Sequence, residues 1–244
     1  MVCCLPEVVQ PRAALTSKSL SPLYGICREP VRALNMRTIK GRVKGGHWAL
    51  SREEYEAVCQ VLDGGKLIVY PTDTVYGLGC DPFEGSAVEE VFELKHRPPD
   101  QPIALALTNT DHILKYARLT PLAQRVISKH LPGPVTLLLR ATPNAPPPLV
   151  SSTGLIGIRV PQHTVAIAIT KAFGPITTTS ANLHGGASPS TCEEARAQLG
   201  DAVDLYIDCG PTRHRNESTI VDVSGDSIRV IREGVVRRED LEDG

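Results

Sequence analysis

The sequence predicts one α/β domain built on a mixed sheet. Helical and strand-like segments alternate in the early part of the chain, whereas short strands dominate the late part. The 244 residues are 41% hydrophobic, which is enough to bury a core without disulfides or a structural metal. No apolar run approaches the ~20 residues of a membrane span. We therefore expect a soluble protein with no membrane partner.

The first helix is expected after Ser51, because Ser51 and Glu54 form a capping box. Side chains for its buried face follow at helical spacing, and Gly64-Gly65 ends the helix. These side chains are Tyr55, Val58, Cys59 and Leu62. Leu67–Tyr70 is a short apolar run that predicts a buried strand, and Pro71 stops it.

The same signals predict the remaining elements. Ser86–Glu89 reads as a second capping box, opening a helix that Pro98-Pro99 stops. Later helices are expected over Asp111–Ala117, Pro121–His130, Thr164–Phe173 and from Thr191 to Gly200. Later strands are expected over Val135–Arg140, Leu155–Val160, Ile176–Thr179, Leu205–Ile207, Thr219–Val223 and Ile228–Ile231.

Composition and cysteine content narrow the class of protein. The formal net charge of −1 argues against a polybasic nucleic-acid-coating protein, and an aromatic content of 4% argues against base-stacking platforms. The seven cysteines are odd in number and form no C-x-x-C pair. We expect them to be small buried side chains in a protein of a reducing compartment.

Residues 1–40 differ from the rest and are expected to be a poorly ordered N-terminal extension or a transit-like segment, with the domain itself over 45–240. Cations outnumber carboxylates in this segment, and prolines interrupt it. A disordered tail or a start codon placed too far upstream predicts a cytoplasmic protein. A transit peptide predicts a mitochondrial or plastid one.

Three polar segments could carry chemistry. Pro71–Gly79 follows a strand and combines hydroxyls at Thr72 and Thr74 with glycines at Gly77 and Gly79, as in a binding loop or an ordinary strand–helix connection. Lys95 and Arg97 could grip a polyphosphate, or simply favour a helix C-terminus.

The third segment, Thr177–Asn182, places hydroxyls and an amide at a strand end, where they suit either a polar ligand or a turn. Arg159 lies within an apolar strand and should need a carboxylate partner unless it faces outward. The sequence contains no phosphate loop, no dinucleotide fingerprint and no metal-ligand spacing of its histidines, so we expect no protein-held metal site.

In combination, these segments resemble the YrdC/Sua5 family of threonylcarbamoyl-AMP synthases over roughly residues 45–235. No single motif is specific, but their order is, above all K-x-R followed later by S-x-N. The segments are Pro71–Gly79, Lys95–Pro98, Leu131–Thr136, Gly157–Val160, Thr179–Asn182, Glu217–Ile220 and Ile231–Gly234.

The resemblance implies a YrdC-like twisted open mixed sheet around a deep cationic cavity. It implies synthesis of threonylcarbamoyl-AMP and pyrophosphate from L-threonine, bicarbonate or CO2, and ATP with Mg²⁺. The product would serve the t6A modification at position 37 of tRNAs that read codons starting with A. A tRNA threonylcarbamoyl transferase or KEOPS-type complex would act downstream.

The resemblance also assigns residues. Lys95 and Arg97 would be catalytic, by offsetting charge on the phosphates. L-threonine would be held by Thr74, Arg159 and Ser218. ATP would be held by Lys95, Arg97, Gln101, Ser180, Asn182, Ser188 and Arg232. Asp73 and Ile103–Ala106 depart from family versions that carry Glu and a His on the following strand, so one threonine-side contact is expected to be missing there.

Two alternatives remain. The chain could be a tRNA- or double-stranded-RNA-binding module without catalysis, which salt-dependent RNA binding without ATP consumption would reveal. It could also be a YrdC-like domain of hydrogenase maturation, although the accompanying acylphosphatase-like and zinc-finger domains are not found in this chain.

Overall fold

The computed structural model describes residues 38–98, 101 and 103–242. Within them lie thirteen strands and seven α-helices. The strands are β1 (Thr38–Lys40), β2 (Arg42–Lys44), β3 (His47–Ala49), β4 (Ile68–Tyr70), β5 (Gly77–Gly79), β6 (Ala104–Ala106), β7 (Ala117–Arg118), β8 (Val135–Ala141), β9 (Leu155–Arg159), β10 (Ile176–Ser180), β11 (Leu205–Asp208), β12 (Thr219–Asp222) and β13 (Arg229–Arg232). The helices are α1 (Arg52–Asp63), α2 (Gly85–Lys95), α3 (Ile113–Tyr116), α4 (Pro121–His130), α5 (Thr164–Ala172), α6 (Cys192–Leu199) and α7 (Arg238–Glu242).

Eleven of the strands form one mixed sheet, as the sequence predicts. Its order is β1-β11-β4-β5-β10-β6-β9-β8-β12-β13, with β7 paired to β8 off this path. Parallel pairs such as β6–β9 and β8–β12 alternate with antiparallel pairs such as β8–β9 and β10–β6. β2 and β3 form a separate hairpin.

Apolar layers cover both faces of this sheet. Successive residues of a strand point to opposite faces, and accordingly Val69 packs in one core cluster while Ile68 packs in the other. Side chains of α2, α4 and α6 join the first cluster, whereas α1 and α5 supply Leu62 and Ile169 to the second. The second cluster shares its sheet face with a cleft, because Thr136 and Leu138 line that cleft and point away from Leu137 of the first cluster.

Local sequence explains most helix ends. Ser51 accepts a hydrogen bond from Glu54 N, and Glu54 reaches back to Ser51 N, so the first capping box is confirmed. Thr191 and Glu194 form another at α6, and α4 begins at Pro121. Cys80, Cys192 and Cys209 are buried thiols, and burial raises the pKa of each.

Four local expectations are wrong. Ser86 does not cap α2, because its hydroxyl donates to Glu84 Oε1 and the helix begins at Gly85 without a side-chain cap. That helix ends at Lys95, before Pro98, because His96 adopts a left-handed conformation with φ 49°. The helix expected over Asp111–Ala117 divides into a 3-10 turn over Thr110–His112 followed by the short α3. The fourth, within Pro71–Gly79, belongs to the site below.

The folded part also begins earlier than expected. Thr38–Lys40 pairs in parallel with β11, which places it in the sheet upstream of residue 45. The N-terminal segment up to residue 37 lies outside the described residues. No helix among the described residues is long and apolar enough to cross a membrane.

Candidate active site

The segment predicted as a binding loop is a β-hairpin loop. Gly77–Gly79 forms β5, which pairs antiparallel with β4, so the loop proper is 71–76. A Cβ at Gly79 would lie 2.9 Å from Tyr70 Cε1 and 3.0 Å from Thr177 O. The glycine is therefore required by the Tyr70 ring that crosses it, and not by a strand–helix connection.

Hydrogen bonds within this loop fix the directions of its hydroxyls. Thr72 donates to Val75 O at 2.6 Å, so the 3.0 Å contact between Thr72 and Thr74 is donated by Thr74. Thr74 Oγ1 then accepts from Arg159 Nη2 at 2.7 Å. Because the Thr74 proton is donated to Thr72, the lone pairs of Thr74 Oγ1 are oriented to accept from Arg159.

Arg159 has the carboxylate partner that its strand position predicts, and the partner is internal. Its Nη2 lies 2.9 Å from Asp73 Oδ1, and both side chains are buried. Asp73 Oδ1 also accepts from Gln162 N at 3.0 Å. Both protons of Nη2 are thus taken by Asp73 and Thr74, which leaves Nη1 to face a ligand while Nε has no partner.

Lys95 lies behind the wall of the cleft, at the point where α2 meets β10. It is 3% exposed, and its Nζ donates to Ser180 O at 2.5 Å, Asn182 O at 2.6 Å and Asn182 Oδ1 at 3.3 Å. These contacts use all three ammonium protons. Burial, with a smaller contribution from nearby Arg97, lowers the pKa of Lys95 to about 8.

Arg97 and the end of β10 form one side of the cleft. Arg97 Nη1 donates to Thr179 Oγ1 at 3.2 Å, and its Nε donates to Gln101 O at 2.7 Å. The Asn182 amide donates to Leu183 O and Gly186 O. Desolvation, and then the charge of Arg232, lower the pKa of Arg97, which places two cations near each other.

The opposite side is built from β12 and β13. Arg232 forms an ion pair with Glu217 at 2.6 Å and donates to Ser218 O at 2.7 Å. Ser188 donates to Glu217 Oε1 at 2.6 Å. Ser218 Oγ lies 3.0 Å from Thr136 Oγ1.

Together these elements enclose a cleft of about 670 Å³, counting its solvent-filled mouth. Three arginines and one glutamate stand among its lining residues, so positive charge predominates on its wall. The lining residues are Thr72, Val75, Tyr76, Gly77, Arg97, Ile103, Ala104, Thr136, Leu138, Gly157, Arg159, Thr178, Thr179, Ser180, Glu217, Ser218, Ile220 and Arg232.

The residues singled out from the sequence converge on this cleft in two groups. Those on the wall are Arg97, Arg159, Ser180, Ser218 and Arg232. Those behind it, each in contact with a wall residue or with Lys95, are Thr74, Lys95, Gln101, Asn182 and Ser188. Sequence reasoning did not single out Thr136 or Glu217, although both fall inside motifs it quoted.

Glu217 is the single carboxylate in the cleft lining, and the described residues contain no group of three or more His, Cys, Asp or Glu that could hold a metal ion. This donor set does not form a protein cage for a metal. It fits a divalent cation that enters on a polyphosphate, since Mg²⁺ is commonly held by one or two carboxylates plus substrate phosphates.

Comparison with known proteins agrees with this geometry. The sequence model of the Sua5/YciO/YrdC family, described as "Telomere recombination", matches residues 60–234. The chain belongs to this family. It is 34% identical over 193 residues to the "putative threonylcarbamoyl-AMP synthase" of Methanocaldococcus jannaschii, covering 78% of this chain and 91% of the relative.

Solved structures of the family share the fold. The Sua5 protein of Pyrococcus abyssi, solved in complex with L-threonine, superposes with a TM-score of 0.76 and 27% identity over 84% of this chain. This chain spans 59% of that protein's length. Escherichia coli YciO superposes with a TM-score of 0.75 and 28% identity, covering 84% of this chain and 97% of YciO. The predicted family and the twisted mixed α/β sheet are thus confirmed.

Proposed function

We propose that this protein is an L-threonylcarbamoyladenylate synthase, a nucleotidyltransferase. It joins L-threonine, bicarbonate or CO2, and ATP into threonylcarbamoyl-AMP and pyrophosphate. The observation that carries the proposal is a single cleft whose wall holds Arg97, Arg159 and Arg232 among hydroxyl groups. We assign one end of it, at buried Arg159, to the amino acid, and the other end, at Arg97 beside the Ser180 strand end, to the phosphates. Relatives named threonylcarbamoyl-AMP synthase support it.

The first end suits an amino acid. Arg159 Nη1 is available to a carboxylate because Asp73 and Thr74 hold Nη2 in place. Ser218 lies close by and completes the set proposed for L-threonine.

The second end suits the phosphates of ATP. Arg97 and Arg232 supply guanidinium groups on the wall, and Ser180 presents its side chain there. Lys95, Gln101, Asn182 and Ser188 support these groups through the hydrogen bonds described above. The charge of Lys95 acts on the phosphates from behind Ser180.

The chemistry needs two bonds to form. The amino nitrogen of threonine adds to the carbon of CO2 and releases a proton, giving a carbamate. A carbamate oxygen then attacks the α-phosphorus of ATP in line, and the bond to the bridging oxygen breaks so that pyrophosphate leaves. With bicarbonate as the source, one water is released in place of that proton.

The protein contributes mainly position and charge. Arg159 orients the amino acid, while Arg97, Arg232 and Lys95 offset the negative charge that builds on the phosphates. Mg²⁺ entering on ATP would neutralise part of the same charge. Glu217, the carboxylate of the cleft wall, would be the residue to hold this Mg²⁺. In the structure Glu217 is paired with Arg232 and accepts a hydrogen bond from Ser188.

The product is a mixed anhydride, which a downstream transferase must consume. We propose that a tRNA threonylcarbamoyl transferase or KEOPS-type complex uses it for t6A at position 37 of tRNAs that read codons starting with A. A cytoplasmic location suits this role. A mitochondrial or plastid location would follow if residues 1–35 act as a transit peptide.

The test is pyrophosphate release from ATP by purified protein with Mg²⁺ and bicarbonate. We expect release that depends on L-threonine and is weaker with L-serine. Folded, ATP-binding protein that releases no threonine-dependent pyrophosphate would overturn the proposal. Salt-titrated binding of tRNA would then decide for the RNA-binding alternative.

A further inference from the structure

Alternate residues of the central strands form the floor of the cleft. On β8 these are Thr136 and Leu138, and on β9 they are Gly157 and Arg159. Their neighbours Leu137 and Ile158 point to the opposite face and pack in the core. Side chains on this floor therefore stand perpendicular to the sheet, in fixed rows.

The strand register places Thr136 between Arg159, which the proposed function assigns to the amino acid, and Arg232, which it assigns to the phosphates. Leu138 pairs with Gly157, so the next step along β8 brings Thr136 beside Arg159. On the other side Thr136 pairs with Ile220, which in turn pairs with Arg232. Arg159 and Arg232 thus approach from either side of the Thr136–Ile220 row. Burial, with a smaller contribution from the charge of Arg159, lowers the pKa of Arg232.

The hydroxyl of Thr136 has bonding capacity left over. Thr136 is 5% exposed and Ser218 is 6% exposed, and the two hydroxyls lie 3.0 Å apart. Arg232 Nη2 donates to Ser218 Oγ at 3.4 Å. Within the described residues neither hydroxyl makes another hydrogen bond, so the pair has two protons and shares only one between its oxygens.

Three other threonine hydroxyls of the cleft already make a hydrogen bond. Thr72 donates to Val75 O, Thr179 accepts from Arg97, and the Thr178 side chain contacts the Tyr70 hydroxyl. The Thr136–Ser218 pair, which lies beside Arg159 in the register, can both donate to and accept from a ligand hydroxyl. Leu138 and Ile220 flank it with branched apolar side chains.

We propose that Thr136 reads the β-hydroxyl of the amino-acid substrate, while Leu138 and Ile220 receive its methyl group. The inference rests on the proposed function and assigns its substrate selectivity to one residue. A substrate side chain with both a hydroxyl and a methyl on Cβ can hydrogen-bond to Thr136 and pack against Leu138 and Ile220 at the same time. Valine, which has a methyl in place of the hydroxyl, leaves a buried proton without an acceptor.

The order of substrates follows from this arrangement. L-Serine keeps the hydroxyl contact and loses one methyl, so it binds more weakly than L-threonine. L-Valine keeps the apolar contact and loses the hydroxyl, which a site built for hydroxyl recognition rejects more strongly. L-allo-Threonine exchanges the two groups and is also disfavoured.

Thr136→Val tests the assignment, because it removes the hydroxyl and keeps the shape of the side chain. We measure kcat/KM for pyrophosphate release, and calorimetric binding, with L-threonine, L-serine and L-valine. The threonine-to-valine ratio is expected to fall about tenfold or more, through loss of threonine binding. The threonine-to-serine ratio should stay within about threefold, since the methyl contact is intact.

Two controls separate selectivity from folding. Thr212→Val makes the same change at a buried threonine outside the cleft lining, whose hydroxyl has no hydrogen-bond partner, and should change neither ratio. Thr136→Ser should retain the threonine-to-valine ratio. If Thr136→Val does not fold, Thr136→Ala takes its place in the comparison with Thr136→Ser.

An active wild type together with an unchanged threonine-to-valine ratio in Thr136→Val overturns this inference and leaves the proposed function standing. A wild type that binds threonine, selects it over valine through Thr136, and releases no pyrophosphate supports the inference while refuting the function. A wild type that binds no amino acid overturns both.

Discussion

Replacing Lys95 by methionine should abolish most turnover and should lower the free energy of unfolding by less than the loss of its three hydrogen bonds alone. Burial moves the pKa of Lys95 from 10.5 to about 8, a difference that corresponds to about 3 kcal/mol against the buried charge. The substitution relieves this cost. It also removes three hydrogen bonds from the ammonium group, whose orphaned acceptors cost about 1–3 kcal/mol each.

A gain of about 3 kcal/mol from removing the buried charge opposes a loss of about 3–9 kcal/mol from the three acceptors, which leaves a net loss of about 0–6 kcal/mol in the free energy of unfolding. Turnover should fall about a hundredfold or more, because the variant loses a fixed positive charge behind the phosphate site and the clamp on the Ser180–Asn182 strand end. We would measure kcat/KM by pyrophosphate release and Tm by calorimetry on the same preparations.

Lys129→Met is the matched control, because Lys129 donates to Asp240 O on the surface, away from the cleft. It should leave kcat/KM unchanged. Lys95→Gln retains amide protons for the carbonyl groups without the charge, so it separates clamping from electrostatics. Turnover of folded Lys95→Met within about threefold of the wild type would refute the reasoning.

Three further outcomes are expected. Asp73→Asn should lower the free energy of unfolding by about 3 kcal/mol and weaken L-threonine binding measured by calorimetry, because Arg159 loses its buried partner; unchanged values in both would count against the pair. ATP affinity should fall as pH rises through about 8, because Lys95 then loses its charge, and Lys95→Met should not show this fall. The contribution of Lys95 to the free energy of unfolding should rise between about pH 8 and about 10.5, because the unfolded chain binds more protons than the folded one in that range. Ser51→Ala should cost about 1 kcal/mol, or a few degrees in Tm, with kcat/KM intact, and a loss of activity would show that the cap does more than start α1.

Elements with local signals could be predicted from the sequence. The capping boxes at Ser51 and Thr191 and the proline at position 121 each specify a helix start through neighbours in the chain. The Ser86 box fails because the spacing alone does not fix the hydroxyl, which bonds to Glu84 instead. The hairpin at Gly77–Gly79 is set by the Tyr70 ring, a contact that periodicity does not encode.

The candidate site likewise combines features that the local sequence predicts with features that only the fold determines. The need of Arg159 for a carboxylate follows from burying a charge in an apolar strand, but the identity of the partner as Asp73 depends on the fold. Lys95 follows from the sequence as a cation at the end of a helix, but its three oxygen acceptors belong to Ser180 and Asn182, which are 85 and 87 residues further along the chain. Thr136 can be identified as a site residue only from the register of β8, β9 and β12, which places it beside Arg159 and Ser218.

The central claim is that the carbon of bicarbonate becomes part of an adenylate. The most direct measurement supplies ¹³C-bicarbonate, ATP, Mg²⁺ and L-threonine to the purified protein and identifies the nucleotide product by mass spectrometry. We expect threonylcarbamoyl-AMP that carries the label in its carbamoyl group and forms in equal amount with pyrophosphate. An adenylate of threonine without the labelled carbon, or hydrolysis of ATP without an adenylate, would contradict the account.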